Sequence, residues 1–245
     1  QRPFSYTPPS GHKKITSNNL LKHSLPSIIN PKKHFETLTY TGNGATNNIT
    51  SLEFQPDFVW IKAREDAHHH TLHDSVRGPN KQLYSNLTNG EHSHTVFLTS
   101  FLYNGFTLGD NSSGTGATNV NGRPYVAWCW KAGGAAVSNT NGNITSSVSV
   151  NEEAGFSIVS YTGNGSNGQT VGHGLTQAPQ WIILKARDAT QNWRVWHHKL
   201  AADGSKRLIL DSNNAMADAS FLNDTAPTST VFTPGNADDA FNANG

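Results

Sequence analysis

The sequence predicts an all-β protein: two tandem β-sandwich modules of the jelly-roll or lectin-like kind, behind an extended N-terminal connector. Three observations carry this. A long pattern occurs twice, short strand-like runs alternate with turn residues along the chain, and no segment sustains helical periodicity. The first copy of the pattern is Tyr40-Thr41-Gly42-Asn43-Gly44 followed by Phe54-Gln55-Pro56-Asp57-Phe58-Val59-Trp60-Ile61-Lys62-Ala63-Arg64. The second is Tyr161-Thr162-Gly163-Asn164-Gly165 followed by Gln177-Ala178-Pro179-Gln180-Trp181-Ile182-Ile183-Leu184-Lys185-Ala186-Arg187. Tyr40 pairs with Tyr161, Pro56 with Pro179 and Arg64 with Arg187, a nearly constant offset of 121 to 123 residues. A shared pattern of this length marks a duplicated module.

The expected boundaries follow. Residues 1–34, with Pro3, Pro8, Pro9, Pro26 and Pro31, read as an extended connector from a preceding domain, because proline resists both helix and central strand. Residues 35–136 form the first module, 137–154 a turn-rich joint and 155–245 the second module.

Within the first module, Leu38 and Tyr40 alternate with threonines, as in a half-buried strand. Gly42-Asn43-Gly44 supplies positive-φ positions for a turn. Phe58-Val59-Trp60-Ile61 is apolar on both faces, so it needs cover on both sides. Short strands are expected over 71–76 and 82–84, flanking the turn Arg77-Gly78-Pro79-Asn80. Thr95-Val96-Phe97-Leu98 and Gly105-Phe106-Thr107-Leu108 form a hairpin across Tyr103-Asn104-Gly105. Residues 110–124 read as a flexible loop, and Tyr125–Lys131 as the closing strand. Ile144–Val150 is a further strand candidate in the joint. The second module repeats the series at Phe156–Tyr161, Trp181–Leu184, Trp193–His197, Arg207–Leu210 and Thr230–Phe232. Asn244-Gly245 falls at the place of Asn121-Gly122, so the second module is expected to lack its closing strand within this sequence.

Composition narrows the function classes. Charged residues are 14% of the chain and the formal net charge is +1, so no strong field collects nucleic acid. One cysteine, Cys129, gives no intrachain disulfide. No apolar run approaches the roughly 20 residues of a membrane span. Histidine is frequent; His68 with His70, or His92 with His94, would share one strand face and offer two imidazoles to a metal. The alternative for these histidines is exposed loop positions. Asp74, Glu91, Asp110, Asp188, Asp211, Asp238 and Asp239 are available carboxylates, but no nucleophile elbow, phosphate loop or zinc-hydrolase motif accompanies them. The expectation is therefore a non-enzyme without a cofactor. The six tryptophans are the large core candidates: Trp128 and Trp130 share a face, whereas Trp193 and Trp196 do not alternate together, so one of that pair is expected to be more exposed and available as a sugar-stacking platform, with core packing as the alternative. Lys62-Ala63-Arg64 and Lys185-Ala186-Arg187 are expected to cap the sheet with their aliphatic stems and pair with acids of the next loop.

The repeated motifs, with Asp74-Ser75-Val76-Arg77-Gly78-Pro79, Gly105-Phe106-Thr107-Leu108-Gly109, Tyr125-Val126-Ala127-Trp128-Cys129-Trp130-Lys131-Ala132-Gly133-Gly134 and Gly172-His173-Gly174-Leu175, resemble a tandem repeat of virion structural proteins of tailed phages, marine ones above all. The lead-in Gln1–Gly11 resembles the end of a SPRY- or LamG-like sandwich that precedes this repeat in such proteins. The resemblance implies a virion tail fibre, spike or appendage, or a capsid-decorating fibre, working in host attachment beside other virion proteins. It further implies a homo-oligomer, a trimer by analogy with phage fibres, and a host surface glycan as ligand. It carries no catalytic residues. A secreted polysaccharide-binding or polysaccharide-degrading module is the competing expectation.

Overall fold

The two-faced run Phe58–Ala63 receives cover on both sides, and that fixes the architecture of the computed structural model, which describes residues 28–111, 118–218, 220–235 and 241–243. The connector expected over 1–34 lies outside the described residues as far as residue 27; Pro31–Lys33 makes one 3-10 turn before the first strand. Nine strands build the first repeat: β1 (Phe35–Thr41), β2 (Asn47–Ile49), β3 (Phe58–Ala63), β4 (Thr71–Asp74), β5 (Lys81–Tyr84), β6 (His92–Ser93), β7 (Leu98–Leu102), β8 (Gly105–Leu108) and β9 (Pro124–Trp130). They form a six-stranded antiparallel sheet, ordered β1-β9-β3-β4-β5-β6, and a three-stranded sheet, β2-β8-β7. The class is all-β, as expected.

The inner face of the large sheet follows from strand alternation. Leu38, Val59, Ile61, Ala63, Tyr125, Ala127 and Cys129 point inward and meet Leu98, Phe106 and Leu108 from the small sheet. Each large buried aliphatic or aromatic side chain here contributes about 1.5–3 kcal/mol relative to exposure. Burial pushes the Cys129 thiol up to about 12, so it acts as a small apolar core residue. Thr95–Phe97, expected as strand, is a turn; the hairpin begins at Leu98 and pairs Leu102 with Gly105.

The second repeat contributes β10 (Val137–Asn139), β11 (Ser146–Asn151), β12 (Phe156–Tyr161), β13 (Val171–Gly172), β14 (Trp181–Leu184), β15 (Arg194–His197), β16 (Lys206–Ile209), β17 (Ala217–Asp218) and β18 (Val231–Phe232). They pair as β10-β11-β12, β13-β18 and β14-β15-β16-β17. The stretch 137–154 is thus largely a hairpin laid onto β12. Ile144, Val171, Trp196, Phe221, Leu222, Phe232 and Phe241 form the core of this half.

The twice-occurring Tyr-Thr-Gly-Asn-Gly motif has one structural job in both places. Tyr40 Oη donates to the Thr118 carbonyl at 2.7 Å, and Tyr161 Oη donates to the Phe241 carbonyl at 2.7 Å. Asn43 N–H donates to Asn119 Oδ1 at 3.1 Å, and Asn164 N–H to Asn242 Oδ1 at 3.0 Å. The amides of Asn119 and Asn242 reach onward to the Ala45 and Ser166 carbonyls. Tyr40 packs edge-on against Phe106 at 6.3 Å, and Tyr161 against Phe232 at 6.0 Å. Gly44 and Gly165 each take φ of 72°. Gly42 is required for a different reason than turn conformation: a Cβ there would overlap the Val120 carbonyl, as one at Gly163 would overlap that of Ala243. Part of the expected flexible loop 110–124 is therefore an anchor, with Thr118 and Asn119 fully buried.

Pro31–Gly245 forms one compact unit, and the second repeat covers the outer face of the first. Phe58 meets Trp130 edge-on at 5.2 Å, and Phe156 lies 6.3 Å from each ring. Trp193 fills the space over Leu72 and Leu83, with Phe58 and Trp60 alongside, and its indole N–H donates to the Tyr84 carbonyl at 2.7 Å.

Two expected outcomes follow, each read from urea denaturation. Asn119→Ala removes one clasp and lowers stability by roughly 2–3 kcal/mol, since several buried polar groups lose their partner. Trp193→Ala empties the contact between repeats and costs roughly 3–5 kcal/mol, as for other buried large-to-small changes.

Candidate ligand-binding surface

Trp193, just before β15, and Trp196 within it face opposite sides, yet neither is exposed: they are 6% and 2% accessible. This corrects the expectation of a sugar platform at one of them. The strand lies between β14 and β16 with both faces covered, Trp193 by the first repeat and Trp196 by its own core, where its indole N–H donates to Ala201 O at 2.8 Å. Alternation tells which side a residue faces, not whether that side is wet. The exposed tryptophan is Trp181, 62% accessible, which the sequence reading placed inside a two-faced strand.

His92 sits on β6 opposite Gln82, with His94 two residues on. Their rings are 6.2 Å apart and tilted by 32°. Among the described residues no three His, Cys, Asp or Glu side chains gather as a metal site. His68 and His70 are used in packing: His68 contacts the Arg123 guanidinium, and His70 Nδ1 accepts from the Trp60 indole at 2.8 Å. That acceptor role places the proton of neutral His70 on Nε2, and burial, then the Lys62 charge, lowers its pKa.

His92 and His94 belong instead to a row of rings along the β4–β6 edge. His69 contacts Tyr84 at 5.3 Å, Tyr84 contacts His92 at 5.9 Å, and His94 contacts Phe97 at 5.3 Å. Polar groups border the row: Asn86 Nδ2 beside His69 Nδ1 at 2.9 Å, and Gln82 Nε2 donating to Tyr84 Oη at 2.7 Å. Flat rings beside amides and imidazoles can stack and hydrogen-bond a polar ligand such as a sugar. Tyr84 and His69 were missed in the sequence because nothing local shows that β5 and the loop before β4 meet there.

Behind this edge lies a buried polar group. His73 Nδ1–H donates to Lys81 O at 3.0 Å, while its buried Nε2 has no partner among the described residues. Burial, and then the charge of Arg77, brings the imidazole down to about 3, so it is neutral.

Charge also joins the two repeats. Glu91 accepts two bonds from Arg187, both 3.0 Å, and a third from Arg77 at 3.2 Å, with Lys81 at 3.8 Å. Arg77 also pairs with Asp74. The Glu91 N–H donates to Arg187 O at 2.6 Å. Burial pushes the Glu91 carboxyl up, but the two arginines outweigh it and the net shift is downward. The repeated lysines cap backbone rather than pairing with acids: Lys62 donates to the carbonyls of Ala63 and Asp66 at 2.6 and 2.7 Å. Lys185 donates to Ala186 O and to Thr88 O of the first repeat at 2.8 and 3.2 Å. Burial lowers its pKa to about 8.

With this geometry in place, residues 30–245 match the family described as a domain of unknown function (DUF7483), and the chain belongs to that family. No curated protein and no solved structure matches the chain.

Acid is expected to destabilise the fold through both groups. The Glu91 pairing contributes fully above the ordinary carboxylate range and is lost as pH falls through the lowered folded value. His73 acts in the same direction: between its ordinary 6.5 and about 3 the unfolded chain binds a proton that the folded chain does not. Stability therefore falls by up to about 1.4 kcal/mol per pH unit in that window. Urea midpoints measured from pH 7 to pH 4 are expected to fall, and His73→Gln to flatten the fall.

Proposed function

We propose that this chain is a non-enzymatic structural part of a tailed-phage virion, a tail fibre or spike segment that engages a host surface glycan. The observation that carries the reading is how the duplicated residues are used. The tyrosine–asparagine clasp and the lysine caps recur in both repeats and all hold backbone, so the duplication multiplies a scaffold. Direct contact between the repeats stiffens it. Stiff repeats in series give an appendage length, and their edges present contact groups.

The ligand surface in this reading is the row His69, Tyr84, His92 and His94. Individually weak sugar contacts become firm attachment when many copies act together. The partners are other virion proteins and further copies of the same chain, with a trimer as the working assembly. Capsid decoration and a secreted polysaccharide-binding or polysaccharide-degrading module are the alternatives that the test separates.

The test is immuno-electron microscopy of purified particles with an antibody against residues 35–136. Label at the tail is the expected result. Label over the head identifies a capsid fibre, and label only on cell surfaces or in the medium removes the virion reading. For the surface itself, His69→Ala with His92→Ala is expected to weaken binding to host cells roughly tenfold or more while the chain stays folded by circular dichroism, because a few central aromatic contacts dominate such interfaces.

A further inference from the structure

Seven Asn-Gly pairs lie among the described residues: Asn43-Gly44, Asn89-Gly90, Asn104-Gly105, Asn121-Gly122, Asn141-Gly142, Asn164-Gly165 and Asn167-Gly168. An asparagine followed by glycine can close into a ring, because no side chain hinders the next main-chain nitrogen. The glycine nitrogen gives its proton to base and attacks the asparagine Cγ; the Cγ–Nδ2 bond breaks and Nδ2 leaves as ammonia. Water then opens the cyclic imide at either carbonyl, leaving aspartate or main-chain isoaspartate. The step needs a glycine N–H that is not engaged, an amide side chain that can swing, and a peptide unit with room to turn.

Exposure does not separate the seven, since every asparagine among them except Asn104 is exposed. Hydrogen bonds and close packing do. The glycine N–H is committed in three pairs: Gly44 donates to Asn119 O at 3.0 Å, Gly122 to Gly42 O at 2.9 Å and Gly165 to Asn242 O at 2.7 Å. The side chains of Asn43 and Asn164 are held as well, each Oδ1 accepting from the N–H two residues on, at 2.9 and 3.0 Å. Asn104 Nδ2 donates to Thr50 O at 3.0 Å, and a Cβ on Gly105 would stand 1.7 Å from Ile49 O. Gly90 and Gly142 lie against main chain, where a Cβ would stand 2.7 Å from Arg187 O and 2.3 Å from Thr170 O. The residue after each is tied to the same place, Glu91 N–H to Arg187 O at 2.6 Å and Asn143 N–H to Thr170 Oγ1 at 3.0 Å.

Asn167-Gly168 meets none of these restraints. Among the described residues neither has a hydrogen-bond partner, and nothing stands within 4 Å of a Cβ built on Gly168. We propose that Asn167-Gly168 is the spontaneous deamidation site of this protein, and that its product loosens the second clasp. Ser166 makes the link: its N–H donates to Asn164 Oδ1 at 3.0 Å, and its carbonyl accepts from the buried Asn242 amide. Isoaspartate inserts one methylene into the main chain one residue past that carbonyl, and either product lowers the formal net charge of +1 by one. The first repeat carries Thr46-Asn47 at the corresponding place, so its clasp has no such neighbour.

The test incubates the 245-residue chain at mildly alkaline pH and reads the products by peptide mapping, each conversion adding about 1 Da. Conversion at Asn167 is expected to run roughly tenfold or more faster than at Asn43, Asn121 and Asn164, since a hydrogen bond must open first at each of those. In the urea-unfolded chain the seven pairs are expected to react at similar rates. Faster conversion at another of the seven in the folded chain overturns the proposal. So does the same preference for Asn167 in urea, because the fold then selects nothing. Asn167→Ser is expected to abolish the first acidic species in ion exchange; its persistence contradicts the assignment. For the clasp, hydrogen exchange of the aged chain is expected to be faster at the Gly165 amide and unchanged at Gly44; an unchanged Gly165 amide sinks the link to the clasp.

Discussion

Strand β3 is apolar on both faces, and the cover each face receives shapes everything around it. Its inward residues Val59 and Ile61 require the small sheet β2-β8-β7, which gives the first repeat its sandwich. Its outward residues Phe58 and Trp60 require a second cover, and the second repeat provides it with Phe156 and Trp193. The apolar contact is ringed by directional ones: Glu91 held by Arg187 and Arg77, and the Thr88 carbonyl held by Lys185 and by the Gln191 amide. The duplication is thus a packing device as well as a repeated fold.

Much of this was legible in the residues. Alternation at Leu38 and Tyr40, the two-faced run at Phe58 and the Tyr103-Asn104 hairpin all report local geometry, which a sequence carries directly. Long-range geometry was not legible. That Asn119 closes on Asn43 from 76 positions away leaves no trace in a run of Gly, Ser, Thr and Asn, which reads as a loose loop. The tryptophans of β15 show the same limit, because a strand period gives facing but not cover. The ring row from His69 to His94 needed β5 and β6 placed side by side before it could be seen.

Function rests on what the repeated residues leave over. The Tyr-Thr-Gly-Asn-Gly motifs and the lysines that occur twice are used to support backbone. The His69–His94 edge is the unrepeated feature on which the proposed ligand contact rests.

The packing of Phe156 and Trp193 onto β3 makes the two repeats one cooperative body. Differential scanning calorimetry of the chain tests this most directly. A single transition whose calorimetric enthalpy equals its van't Hoff enthalpy is the predicted result. Two separable transitions, each of about half the enthalpy, would show repeats that fold independently and would contradict the claim that the second repeat is an essential cover for the first.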